Sequence, residues 1–442
     1  MESDLDQWRN EDTTPGQLRR IQDGQIWQTL SGPDGHPFFD NSDDRPNSSE
    51  LRVGISIGFD GQVFLFSFQR SAFSGSHSTG VLSVSIANLD THLRYRVENV
   101  LLCGLTPGPR ELSGDELQKF ICEFVTDLLR LYEHGLLVRT PQYPNGRLVR
   151  VALVCISCDH PALCRMAGFG DHSMNSCMCT KCELPHDMLF EEAGLTINSR
   201  PTRSTQEHLR RAQEYKTLNG KKEREQFFKK HASRWFEFSR LPYFDPVRMA
   251  IIDPMHNILL GVVKTQWCDV WIQGKTLRGR TATKKVPREL DEIHEILANF
   301  EMPRWVARLP SDVGYPAGGS LTSDEWKAMV LVYCLIVIPL IWEEWGPASD
   351  KEYQEQLKKL KPSASTQSSS RSQHGKLNKK SKTSQDQPQP RMHPQDADNF
   401  LTLAAALKII LARTIDVSEL ERAQDLLQAY LLKYREVSET SN

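Results

Sequence analysis

The chain has 442 residues, enough for two or three domains or for one domain carrying insertions. Its formal net charge of -2 and pI near 6.7 exclude a globally basic nucleic-acid binder, so any such binding must come from local patches. The acidic, polar start "MESDLDQWRNEDTT" argues against secretion, and ten cysteines diluted over this length read as reduced thiols or metal ligands rather than a disulfide scaffold.

In chain order, residues 1–50 form a polar extension in which "DGQIW" and "DGHPFFD" read as turn-bounded strand fragments. "LRVGISIGFDGQVFLF" alternates small or polar with branched residues and predicts a strand ending at Asp60-Gly61, with room for a second strand after it. "STGVLSVSIANL" and "ENVLLCGLTPGP" predict two more strands. "SGDELQKFICEFVTDLLRLYEHG" predicts an amphipathic helix, capped by Ser113 with Glu116 three residues on, its apolar face being Leu117, Ile121, Phe124, Leu128 and Leu131. "RLVRVALVCISCD" is a continuous apolar run and suits the middle of a sheet, ending at Asp159.

Residues 170–245 depart from this pattern: a cysteine cluster precedes a charged helical stretch, which reads as an insertion. Residues 246–345 return to apolar, helical patterning. "MVLVYCLIVIPLIW" is too short to span a bilayer comfortably and reads as a core helix behind a Thr322–Glu325 capping box. Residues 346–396 turn to Lys, Ser, Gln and Pro and predict a disordered basic linker, in which "KLNKKSK" suits nuclear import, phosphate contact or plain solvation. Residues 397–442 predict a helical hairpin.

Three groups of residues could carry chemistry. Asp60 and Asp159, each at a strand end, have the oxygen donors that Mg²⁺ or Mn²⁺ prefers, although strand-to-turn aspartates are common. "HSMNSCMCTKC" supplies His172, Cys177, Cys179 and Cys182, the ligand types of a tetrahedral zinc site; reduced structural thiols are the plain alternative. In "AIIDPMHNILLG", Asp253 before Pro254 fits a helix cap, with His256 in the first turn. A P-loop, a GxGxxG fingerprint, a HExxH helix and a GxSxG elbow are all missing from the sequence.

"LPYFDPVRMAIIDPMHNILLG" resembles the DxMHNLxLG block of the transposases of CACTA (En/Spm-type) DNA transposons, especially their fungal copies. "GQIWQTL", "HPFFD", "STGVLSVSIANLDTHLRYRVENVLLCGLTPGPREL", "DHPALCRMAGFGDHSMNSCMCTKC" and "GGSLTSDEWKAMVLVYCLIVIPLIW" are similar to further family segments, in the family's order. The resemblance implies an α/β fold with an RNase H-like core (three strands, a helix and a fourth strand), a Cys-containing insertion and a mainly helical C-terminal part. It implies a DDE/D-type transposase performing metal-dependent DNA cleavage and strand transfer in the nucleus. Asp60 and Asp159 match the first two catalytic acids, which would hold Mg²⁺ or Mn²⁺. Cys179 and Cys182 match the C(2)C motif, within the insertion that interrupts the core, and Asp253 and His256 match the D(2)H motif.

This chain reads "DGQVF" where fungal relatives commonly read "DWFNP", and "CDHPA" where "CDLPA" is usual. The family's third acid, a glutamate on a later helix, has no counterpart before Asn442, since Glu419, Glu421 and Glu436 fall in an amphipathic pattern. A C-terminally truncated chain is therefore expected, and the alternative is a non-catalytic DNA- or protein-binding relic. A zinc hydrolase using His172, His256 and the cysteines is a more distant reading. The implied partners are DNA, transposon ends in the ancestral role, and no membrane; a homo-oligomer is compatible with the sequence.

Overall fold

The computed structural model describes residues 2–40, 49–63, 79–108, 110–281, 286–315, 319–360 and 390–441. The chain divides into two compact units, one of residues 1–257 with 413–418, the other of residues 258–412 with 419–442.

The first unit is built on a mixed five-stranded sheet. Its strands are β2 (Leu51–Val63), β3 (Thr79–Ile86), β4 (Val100–Leu105), β5 (Leu136–Val138) and β6 (Arg147–Ile156), in the order β4-β3-β2-β6-β5. A separate two-residue pairing joins β1 (Gln17–Leu18) to β7 (Ile415–Asp416). Strands β2, β3 and β4 form an antiparallel meander, and β6 returns parallel to β2. That return needs a crossover, and the helix Gly114–Glu133 lies within it. Ser113 and Glu116 form the expected capping box.

The helix packs with Leu117, Ile121, Val125, Leu128 and Tyr132 buried, so Val125 and Tyr132 hold the centre of the face while Phe124 and Leu131 flank it. Each such buried side chain contributes roughly 1.5–3 kcal/mol of hydrophobic stabilisation. Ala152 to Ile156 of β6 are all buried, as an interior strand covered on both faces requires.

The extension departs from its sequence reading. "DGQIW" forms the short helix Gln25–Thr29, Gly24 serving as its cap rather than as a hairpin turn. Trp27 is drawn inward by stacking on Phe39 at 3.5 Å, edge-on to Trp8 at 5.1 Å. "DGHPFFD" contributes one isolated bridge, Ser31 to Pro37. The short edge strand β5 has no forecast in the sequence, because three residues are too few to show a period.

The two ends of residues 170–232 meet beside each other. Phe169 pairs antiparallel with Ser233, Gly170 donates to the Ala232 carbonyl at 2.9 Å, and Arg234 to that of Gly168 at 2.9 Å. Gly168 adopts φ +74°, and a Cβ there would meet the Arg234 carbonyl oxygen at 2.5 Å, so this junction requires glycine. Between these ends lie the helices Thr205–Thr217 and Lys221–His231. His208 of the first is buried, stacked on Phe169 at 4.0 Å, with its ring nitrogens on Ser233 Oγ (3.0 Å) and the Ala167 carbonyl (2.9 Å).

The second unit is helical. The Thr322–Glu325 capping box starts Ser323–Ala328, which continues through Met329–Tyr333 into Cys334–Leu360. Residues 323–359 are long and apolar enough to cross a membrane by length and composition, but half of the apolar window is buried, with Trp326, Val330, Ile338 and Ile341 in the unit's core. Helix persists through Gly346 to Leu360, where composition suggested linker; "KLNKKSK" lies outside the described residues. Pro394–Ile410 and Leu420–Ser441 are the two helices expected at the C-terminal end, and Asn399 Nδ2 of the first donates to the Tyr430 carbonyl of the second at 3.2 Å.

Candidate metal centre

Three chain segments run side by side at one edge of the sheet unit. Ile57 of β2 is in register with Ile156 of β6, and Ile156 forms a parallel bridge with Ala250. Backbone bonds lock them together: Ser157 donates to the Ile57 carbonyl at 2.9 Å, and Ile251 to that of Ile156 at 3.1 Å. Three residues beyond each member of this row comes an aspartate: Asp60, Asp159 and Asp253. All three line one small cleft of about 210 Å³, together with Gly58, Phe59, Ser83, Ser157, Cys158 and His256.

Each aspartate is held differently. Asp60 lies within β2 rather than at its end, because the strand continues through a register shift to Val63; there it pairs with Val81 and is exposed. Asp159 caps the helix His160–Met166, its Oδ1 accepting from the Ala162 amide at 2.8 Å. Asp253 caps the helix Met255–Val263, its Oδ1 accepting from the Met255 amide at 2.9 Å, while its Oδ2 lies 2.5 Å from His256 Nδ1. Asp253 is about one-fifth exposed and His256 somewhat under half. Cys158 fills the floor: its sulfur accepts from the Phe59 amide at 3.0 Å, and burial pushes the thiol up to about 12, so it stays neutral.

Three carboxylates therefore face one cleft, and no Lys or Arg is among its described lining residues. Among the described residues, no group of three or more His, Cys, Asp or Glu side chains is arranged to hold a metal ion. The carboxylate oxygens that line the cleft are of the donor type that Mg²⁺ and Mn²⁺ prefer. Mg²⁺ in particular is commonly bound through one or two carboxylates, with waters and substrate phosphate completing the shell.

The cysteine loop lies apart from the lining of this cleft. The Cys182 thiol hydrogen-bonds Cys179 and, with the Lys181 amide donating to Cys179 Sγ at 3.3 Å, holds the Cys179 thiol down to about 5; Cys182 is correspondingly pushed up. Cys177 Sγ turns to the Cys182 and Cys179 carbonyls at 3.3 and 3.7 Å. His172 sits beside His160, ring centroids 6.2 Å apart, and His160 Nε2 approaches Cys164 Sγ at 3.6 Å. Burial first, then the neighbouring His172, lowers the His160 pKa. The two cysteines of the C(2)C motif thus meet, whereas His256 is placed with the aspartates.

Lys181, between those cysteines, attracted no attention as sequence. Its Nζ donates to the carbonyls of Val247 and Ala250 at 2.5 and 2.6 Å, tying the cysteine loop to the segment that delivers Asp253. Its only sequence signal is a lysine inside CxxC. The role of Cys158 was equally hidden, since a core cysteine and a cleft-floor cysteine read alike.

The fold and cleft define an α/β protein with an acidic site at the edge of a mixed sheet. Residues 15–233, just under half of the chain, match the family described as transposase family tnp2, which supports a transposase family. The match includes Asp60, Asp159 and the cysteine loop, and stops short of Asp253 and His256. Among curated proteins, none matches the chain.

Proposed function

We propose that the chain is a DDE/D-type transposase of the CACTA kind, built on an RNase H-like core and acting on DNA phosphodiesters in the nucleus. The observation that carries this reading is the placement of Asp60 and Asp159 on one cleft, three residues past the paired Ile57 and Ile156. The strand order β4-β3-β2-β6-β5, with only β2 and β6 parallel, supports the RNase H-like assignment.

Asp60 and Asp159 would hold Mg²⁺ or Mn²⁺, which supplies Lewis-acid stabilisation of charge on the phosphate and an activated oxygen nucleophile. Asp159 can offer Oδ2 while Oδ1 stays on the helix cap. The backbone row holds the two segments that carry these acids side by side before any ion arrives. Glu419 and Glu436 pair with Arg422 and Lys433 and are not among the described residues of the cleft. The carboxylate that joins the first two there is Asp253. Cys179 and Cys182 would supply thiolates to a structural zinc, with Cys177 and His172 as the remaining candidates.

Mn²⁺-dependent cleavage of transposon-end DNA by the wild-type chain, Asp60→Ala and Asp159→Ala tests the reading. Activity in the wild type alone supports it, and equal activity in all three removes it. In the alternative, a non-catalytic DNA- or protein-binding module, the wild-type chain binds and none of the three cleaves.

A further inference from the structure

We infer that His256 is the proton-transfer residue of the acidic cleft and that Asp253 is its positioning residue. The inference rests on the transposase reading above and adds a group that neither the metal-binding pair nor the family match supplies.

The geometry is that of an oriented imidazole. His256 Nδ1 lies 2.5 Å from Asp253 Oδ2, so the ring proton belongs on Nδ1, and the lone pair on Nε2 is left for another partner. Asp253 is itself immobilised. Its Oδ1 caps the helix at the Met255 amide, and the preceding Ala250–Ile251 backbone is fastened both to Ile156 and to Lys181. His256 is therefore oriented by a segment whose backbone is bonded to the end of β6.

The groups facing the pair are Asp159 and Cys158 from the end of β6, Asp60 from β2, and the uncharged Ser83 from β3. The carboxylates serve as oxygen donors and the Cys158 thiol is neutral, so His256 is the one imidazole among the described residues of the cleft. A base acting between pH 5 and 8 is most readily an imidazole.

In hydrolysis, Nε2 accepts the proton of the attacking water as its oxygen bonds to phosphorus. The bond from phosphorus to the 3′ oxygen breaks, and that oxygen leaves with the electron pair and is protonated by solvent. The products are a 3′-hydroxyl and a 5′-phosphate. In strand transfer the attacking 3′-hydroxyl gives its proton to the same nitrogen as its oxygen bonds to the target phosphorus; the target's bond from phosphorus to its own 3′ oxygen breaks, and that oxygen leaves with the electron pair and is protonated by solvent. No oxidant or reductant is required.

The test uses the full chain with two variants. His256→Gln removes the base. Asp253→Asn keeps an oxygen for the Met255 cap but presents an amide N–H₂ to Nδ1, which forces the ring proton onto Nε2. Histidine ¹⁵N spectra come first and need no activity: the wild type shows His256 with its proton on Nδ1, and Asp253→Asn moves it to Nε2. Single-turnover cleavage with Mn²⁺ is then expected to fall by about 10²-fold or more in both variants, within the range of general acid–base catalysis. Mn²⁺ affinity is unchanged in His256→Gln.

A wild-type proton on Nε2, an unaltered rate in His256→Gln, or loss of Mn²⁺ affinity in that variant overturns the assignment. Cleavage that depends on Asp60 and Asp159 but not on His256 defeats this inference alone. Cleavage indifferent to all of them, or no wild-type cleavage, defeats the catalytic reading as well.

Discussion

Asp60 and Asp159 stand the same three residues beyond a backbone pair, Ile57 of β2 against Ile156 of β6. Two parallel strands in register thus deliver two carboxylates to one cleft, and the Ala250 bridge adds Asp253 by the same count.

Asp159 has two separable duties. Asp159→Ala loses the cap on Ala162 and is expected to lower stability by about 1 kcal/mol, the usual cost of removing a side-chain cap. Asp159→Asn caps nearly as well, so its denaturation midpoint should stay close to wild type while Mn²⁺ binding is lost. Equal stability in Asp159→Ala and wild type would show that the cap carries no weight.

Lys181 is expected to control the segment before Asp253. Lys181→Met removes two charge-assisted bonds, to Val247 and Ala250, at a cost of about 2 kcal/mol. Hydrogen exchange should quicken at the Ile251 amide and leave the amides of β3 unchanged. Unaltered protection at Ile251 would contradict the anchoring role.

The cysteine loop should be reactive below neutral pH. With its thiol held down to about 5 by the Cys182 bond, Cys179 is mostly thiolate at pH 6.5 and should alkylate with iodoacetamide faster than the exposed Cys103, whose thiol burial pushes up. Cys182→Ala returns Cys179 toward the ordinary value of about 8.5, and the reaction at pH 6.5 slows. Under the zinc reading, added Zn²⁺ protects both thiols, and mass spectrometry reads each outcome.

Acid should weaken the first unit through His208. Burial holds its pKa down to about 3, against about 6.5 in the unfolded chain. Between those values the unfolded state binds the proton and the folded state does not. The neutral-form stability is therefore fully present above about pH 6.5 and is lost as pH falls toward 3. From pH 6.5 to 5 the loss is about 2 kcal/mol, at about 1.4 kcal/mol per unit. His208→Gln should be less stable at pH 7 and less sensitive over that interval, as denaturant melts at both pH values would show.

The strands and the crossover helix of the sheet unit were legible because their apolar periods are long and their caps are local: Ser113 and Glu116 announce one helix, Thr322 and Glu325 another. "DGQIW" misled because a glycine before two large apolar residues suits a strand turn as well as a helix cap, and only the packing of Trp27 on Phe39 separates them. At the site, Asp60 and Asp159 stood out as acids closing apolar runs. Their meeting with Asp253 depends on the Ile156–Ala250 bridge, which joins residues far apart in sequence and leaves no periodic trace. Lys181 was invisible for the same reason, since its partners are backbone carbonyls and carry no residue identity.

The most direct test of the acidic centre is Mn²⁺ binding to the full chain, followed by electron paramagnetic resonance as free Mn²⁺ disappears. The wild type should bind Mn²⁺ at a site that is lost in Asp60→Ala and equally in Asp159→Asn, a fold-preserving change. Binding that survives both substitutions would contradict the claim that these two aspartates form one metal centre.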